Sequence, residues 1–223
     1  MEFSARARSL DESVVTLMID ALAGSGKALI YTSGVWVMGD TKGRLLGEAC
    51  QLYPPAMVAW RPAVETMVLD ASTRGIRSVV LRPGMVYGPN GGMIAGMYRQ
   101  AKETGVIRLA GSGENHWSLI HIDDLAELYT LALAKSPAGE LYVATSGVPQ
   151  PVRRIAEAVA EAAGGGVRIE TVPLEQATAE MGPIAECLSM DQRAGSTKAA
   201  RVLGWTARKP SVYDDIFRSL RNS

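Results

Sequence analysis

Residues 29–34 read Leu-Ile-Tyr-Thr-Ser-Gly, and residues 79–84 read Val-Val-Leu-Arg-Pro-Gly. Each is a short apolar run that ends in turn-forming residues. Such a run is too brief for a helix and fits a strand buried on both faces. Helical spacing precedes each run. Leu10, Val14, Leu17, Met18 and Leu22 recur at intervals of three and four, with Ser9 and Glu12 placed as a capping box and Gly24 as a C-terminal cap. Pro54 and Pro55 lead into a second helix over about 58–72, and Gly75 ends the linker to the second run. Further on, helices are expected over about 93–104, 123–135, 152–163, 197–203 and 212–220. Short strands are expected over about 106–109, 117–122, 141–144 and 167–172, and Gly164, Gly165 and Gly166 stop the helix before the last of them. Helices alternating with short apolar strands predict an α/β fold around a parallel sheet.

The composition narrows the function. The chain has 223 residues, enough for one domain or a domain with a small lobe. Lys+Arg and Asp+Glu are both 23, so a basic nucleic-acid footprint and a polybasic membrane patch are excluded. Hydrophobic residues make up 47%, which excludes a largely disordered chain. Cys50 and Cys187 lie far apart with no CxxC, which argues against a disulfide framework or a cysteine zinc site. His116 and His121 are the only histidines, too few for a histidine-rich metal site. The start lacks an apolar signal core, and no apolar run approaches the ~18 residues of a membrane span. The expectation is a cytoplasmic protein with no nucleic acid, membrane or metal.

Two loops invite a functional reading. Gly24-Ser25-Gly26-Lys27 resembles a phosphate loop only superficially. Ala21 stands where that motif needs glycine, Ala28 stands where it needs Ser or Thr, and the segment follows a helix and opens a strand. Its reading is a glycine cap. Thr32-Ser33-Gly34 sits at the carboxyl end of a strand, where open α/β sheets bind ligands. The second run ends in Arg82-Pro83-Gly84-Met85-Val86-Tyr87-Gly88-Pro89, so two adjacent strand ends are expected to share a crevice.

The segments LIYTSGVWVMGD (29–40), VVLRPGMVYGPNGG (79–92), SLIHIDDLAELY (118–129) and KAARVLGW (198–205), with Glu48 and Glu65 between the first two, resemble the extended short-chain dehydrogenase/reductases, the NAD-dependent epimerase/dehydratase group. The resemblance covers almost the whole chain in order. It implies an NAD(P)-binding Rossmann-type parallel sheet over 1–86 and 118–147. A small α+β substrate lobe with C-terminal helices would cover 87–117 and 148–223. It also implies NAD or NADP as cofactor and a homodimer through helices 10–23 and 58–72.

Two departures from the family pattern matter. The family opens with a strand, a GxxGxxG turn and a helix that hold the cofactor diphosphate. These 223 residues contain no such turn, and the first helix resembles the one after the family's fourth strand. The resemblance therefore implies a chain truncated at Met1, with weak or no cofactor binding alone. The family's catalytic helix carries a Tyr and, four residues on, a Lys. Counting back from Glu65 puts Arg61 at the Lys position and Met57 at the Tyr position. Arginine keeps a charge but shares no proton, and methionine is no acid or base. The family's Asn and Arg for nucleotide-sugar phosphates are replaced by Met85 and Trp117, which implies a smaller or less charged substrate.

The site residues follow from that resemblance. Ser33 and Arg61 would be catalytic, Ser33 on a carbonyl and Arg61 on the nicotinamide ribose. Thr32, Ser33, Arg61, Pro83, Gly84, Met85 and Val86 would line the cofactor. Trp36, Met57, Trp60, His116 and Trp117 would line the substrate. His116 and Tyr53 are the alternative proton donors, and His121 is expected to make a structural hydrogen bond beside Asp123 and Asp124. The expected activity is an NAD(P)-dependent oxidoreductase or epimerase/dehydratase on a small carbonyl or hydroxyl compound. The alternatives are a non-catalytic binding or regulatory protein of the same fold, or an inactive fragment.

Overall fold

A computed structural model describes residues 2–89, 91–195 and 197–220, so the expected start at Met1 lies outside them. The two quoted runs form β1 (Ala28–Thr32) and β2 (Arg77–Pro83), and β7 (Glu140–Ala144) completes a parallel three-stranded sheet in the order β1-β2-β7. Ile30 stands opposite Val79, and Leu81 opposite Tyr142. Both faces are covered, which is why the strands read as unbroken apolar runs. Helices α1 (Glu2–Leu22) and α2 (Arg61–Asp70) cover the face of Val80 and Leu141. Helix α4 (Ile122–Lys135) covers the face of Val79, Leu81 and Tyr142 through Leu125, Leu128 and Ala132.

Gly84 ends the central strand and redirects it. A Cβ there would lie 2.5 Å from the Ser118 carbonyl oxygen, so only glycine allows the backbones to come this close. The chain then runs as β3 (Met85–Tyr87), paired in parallel with β6 (Leu119–His121). The strand expected over 117–122 is split. β5 (His116–Trp117) pairs antiparallel with β8 (Gln150–Pro151), and Ser118 separates it from β6. A second core joins α3 (Gly92–Thr104) and α5 (Val152–Ala162) to β4 (Val106–Ala110), which pairs in parallel with β9 (Arg168–Val172). Two short helices after β9, α6 (Leu174–Met181) and α7 (Ile184–Ser189), carry too few apolar repeats to stand out in the sequence. Helix α8 (Thr197–Leu203) matches its expected span.

Three local expectations need correction. Helix α1 starts before Ser9, whose carbonyl accepts from the Ser13 hydroxyl inside the helix, so Ser9 and Glu12 form no capping box. α1 buries Val15 and Ile19 and leaves Leu10, Val14, Leu17 and Met18 exposed. The helix has two apolar stripes, and spacing alone picked the outer one. The second helix is shorter than expected: Ala56–Val58 is a separate 3₁₀ turn, so Met57 precedes α2. Prolines at 54, 55 and 62 account for that break.

Candidate functional site

A cavity of about 670 Å³ opens at the carboxyl ends of β1 and β2. β1 delivers Thr32 and Ser33, the 3₁₀ turn Val35–Met38 delivers Val35, Trp36 and Val37, and the turn before α2 delivers Met57 and Val58. Trp60 and Arg61 enter from the start of α2, and Pro83–Val86 from the end of β2. The structure thus gathers Thr32, Ser33, Trp36, Met57, Trp60, Arg61, Pro83, Gly84, Met85 and Val86 around one space. Residues the sequence did not single out complete it: Leu10 and Asp11 of α1, Gly92 and Met93 of α3, and Leu125 of α4.

Two expected residues lie elsewhere. Trp117 is 4% exposed in the second core and donates its indole N–H to the Leu188 carbonyl at 3.0 Å. It walls a neighbouring cavity of about 320 Å³ between α3 and β4. His116 sits with Asp191 and Arg193. Its Nδ1 is 3.1 Å from Asp191 Oδ1 and 3.0 Å from an Arg193 guanidinium nitrogen. Asp191 also accepts from the His116 and Gly43 N–H groups, both at 2.9 Å. Burial alone would push the Asp191 carboxyl up; the Arg193 guanidinium and the two N–H groups reverse this, and the net shift is downward. That cluster ties loop 40–43 to β5. His121 caps α4, its Nδ1 accepting from the Asp123 N–H at 3.1 Å, which bears out its structural reading. Asp124, in the first turn of α4, is 2% exposed and accepts from the Arg208 and Lys209 N–H groups.

The cavity wall is mostly apolar, and its polar atoms are unusual. Ser33 Oγ, Trp60 Nε1 and Arg61 Nε are buried and make no hydrogen bond among the described residues. A buried donor without a partner costs about 1–3 kcal/mol, and all three atoms belong to residues that line this cavity. Arg61 also donates to the Thr32 carbonyl at 3.1 Å and lies 5.1 Å from the Trp60 ring centroid. Behind α2, Glu65 and Arg82 form a two-bond ion pair at 2.5 and 2.9 Å, with side chains 3% and 4% exposed. Glu65 lies one turn after Arg61, so this pair fixes the face that Arg61 presents. Asp11, the one carboxylate lining the cavity among the described residues, accepts from the Tyr31 phenol at 2.5 Å, and burial pushes that phenol's pKa up. Tyr129 of α4 is hydrogen-bonded to the Thr32 hydroxyl. Local pattern does not show that Tyr129 meets Thr32, because the two lie 97 positions apart.

The comparisons with known proteins agree with this architecture. A family model described as "NAD dependent epimerase/dehydratase family" matches residues 12–144. An uncharacterised protein of Schizosaccharomyces pombe is 29% identical over 212 residues, covering 94% of this chain and 70% of its own length. A 2-alkyl-3-oxoalkanoate reductase of Stenotrophomonas maltophilia is 29% identical over 135 residues, covering 58% of this chain and 41% of its own. Among solved structures, a Thermotoga maritima UDP-glucose 4-epimerase superposes with a TM-score of 0.80 at 19% identity, over 97% of this chain and 70% of the epimerase. That likeness shows the Rossmann-type fold.

Proposed function

We infer the function from one premise: the chain belongs to the NAD dependent epimerase/dehydratase family. We propose that it serves an NAD(P)-dependent oxidoreductase that acts on a small, largely apolar carbonyl or hydroxyl compound. The observation that carries this reading is the set of polar residues Ser33, Trp60 and Arg61 lining a mostly apolar cavity at the carboxyl end of the sheet. They fit the nicotinamide-ribose half of the cofactor and a substrate oxygen. A bound nicotinamide would supply two-electron transfer as hydride. Pro83–Val86 would flank that ring, and Arg61 would hold the ribose hydroxyls. Ser33 would donate to the substrate oxygen, and the Arg61 charge would stabilise negative charge that develops on it. Among the described residues, none that lines the cavity is Tyr, His, Lys or Cys. Proton transfer therefore falls to water, to Asp11 or to Tyr129 acting through Thr32.

The similar 2-alkyl-3-oxoalkanoate reductase named above supports the carbonyl side of this reading. The test is oxidation of NADH and NADPH by the protein with a panel of small ketones and aldehydes. We expect slow turnover that needs millimolar cofactor, because no glycine-rich turn in these residues meets the diphosphate. Micromolar binding of either cofactor in a calorimetric titration would refute the expected weakness. Absence of turnover with every carbonyl at saturating cofactor would favour a non-catalytic binding protein instead.

We further propose a homodimer. α2 turns Val64 and Val68 fully inward, so the uncovered apolar surface is that of α1, where Leu17 is 69% and Leu10 64% exposed. Light scattering should report a dimer, and Leu17→Glu should shift it to monomer. A monodisperse monomer of the parent at high concentration would refute this.

A further inference from the structure

A second cavity of about 900 Å³ lies beyond the wall of the candidate site and shares no lining residue with it. It is framed by the 38–55 segment, by Leu174 at the start of α6 and by Glu186, Ser189 and Met190 around the end of α7. Among the described non-glycine residues, Lys42 alone has positive φ, at 49°, and Gly43 follows at 77°. The Arg44 N–H donates to the Thr41 carbonyl at 3.0 Å, which closes a turn with both central residues left-handed. Such a turn prefers Gly, Asn or Asp at its first central position, and lysine there is strained. Strain of this kind gathers at ligand sites.

Among the described residues, two cations, Lys42 and Arg44, and two carboxylates, Asp40 and Glu186, line the cavity. Asp40 accepts from the Lys42 N–H at 2.8 Å and, through its other oxygen, from the Asp191 N–H at 3.4 Å. Glu186 is the other carboxylate that lines the space. Among the described residues, the Lys42 and Arg44 side chains make no ion pair or hydrogen bond, although both line it. Met38, Met190, Pro54 and Pro55 provide an apolar wall, and Tyr53 stands 64% exposed at the cavity.

We propose that this cavity is a second binding site for an anionic ligand with a flat apolar body, such as an aryl phosphate or carboxylate. Lys42 and Arg44 take the anion, and Tyr53 and the methionine–proline wall take the body. The site adjoins the first one through two segments: Val37 and Met57 wall the first cavity, Met38 and Pro55 the second. A Cβ on Gly39 would lie 2.3 Å from the Tyr53 carbonyl oxygen, so the two segments are locked together. The inference does not depend on the proposed enzymatic activity.

The test is a titration of the protein with 1-naphthyl phosphate, followed by amide chemical shifts, with 1-naphthol and inorganic phosphate as separate arms. Saturable shifts are expected at residues 40–44 and 186–190, with both partial probes at least about tenfold weaker. Lys42→Gly separates folding from binding, because glycine relieves the left-handed backbone while removing the charge. It should raise the melting temperature and weaken naphthyl phosphate at least about tenfold. Arg44→Gln should weaken it similarly. Undiminished affinity in Lys42→Gly, a lowered melting temperature for it, or either partial probe binding as tightly as 1-naphthyl phosphate would overturn the proposal. Shifts that saturate instead at Thr32–Gly34 and Gly84–Val86 would also do so.

Discussion

Glu65→Ala is expected to destabilise the protein by about 3–5 kcal/mol, the largest effect of any single side-chain removal near the site. The pair it breaks is almost fully enclosed, with the Glu65 and Arg82 side chains 3% and 4% exposed. Removing the carboxylate strands a guanidinium that already has one buried nitrogen, Nη1, without a partner. Arg82→Ala should cost a similar amount by leaving Glu65 unpaired. Replacing both by methionine should cost far less, because a buried ion pair recovers little more than its own desolvation. Urea unfolding of the two single variants and the double variant, followed by circular dichroism, measures this as a cycle. Single-variant losses below about 1 kcal/mol would show that the pair is solvated and does not pin α2. The same pin has a functional consequence, since Arg61 sits one turn before Glu65 on α2.

The second large effect concerns acid–base chemistry. Met57→Tyr combined with Arg61→Lys should raise carbonyl turnover by about 10²–10⁴-fold, the usual worth of a positioned general acid or base. Residues 57 and 61 line the same cavity as Ser33, although Met57 lies in the 3₁₀ turn ahead of α2 rather than on the helix. A tyrosine there gains a proton to give, and the neighbouring lysine charge favours its ionised form. Met57→Phe fills the same space without a proton and should leave turnover flat. The other donors weighed from the sequence are placed away from the cavity: His116 is held by Asp191 and Arg193, and Tyr53 lines the second cavity. His116→Ala and Tyr53→Phe should therefore leave the rate of the parent unchanged, while Tyr129→Phe reports on relay through Thr32. Fast parental turnover that survives Tyr129→Phe would refute the assignment of position 57.

Much of this protein was determined by the sequence itself. Apolar runs bounded by turn residues located the three strands of the sheet, because a strand covered on both faces must be apolar throughout. The order of Thr32-Ser33, Arg61 and Pro83–Val86 along the chain placed these residues around one cavity, because parallel topology carries successive strand ends to the same edge. Tertiary structure decided the rest. Periodicity could not say which stripe of α1 faces inward, because both stripes are apolar and only packing on β1 and α2 selects Val15 and Ile19. It could not place His116 or Trp117, whose partners Asp191 and Leu188 lie 75 and 71 positions away. Nor could it show that Tyr129 meets Thr32, or that Lys42 is bent into a left-handed turn beside a second cavity. Local pattern reads what neighbours in the chain do to one another; long-range pairing is settled only when the chain closes on itself, and that closure placed the polar groups.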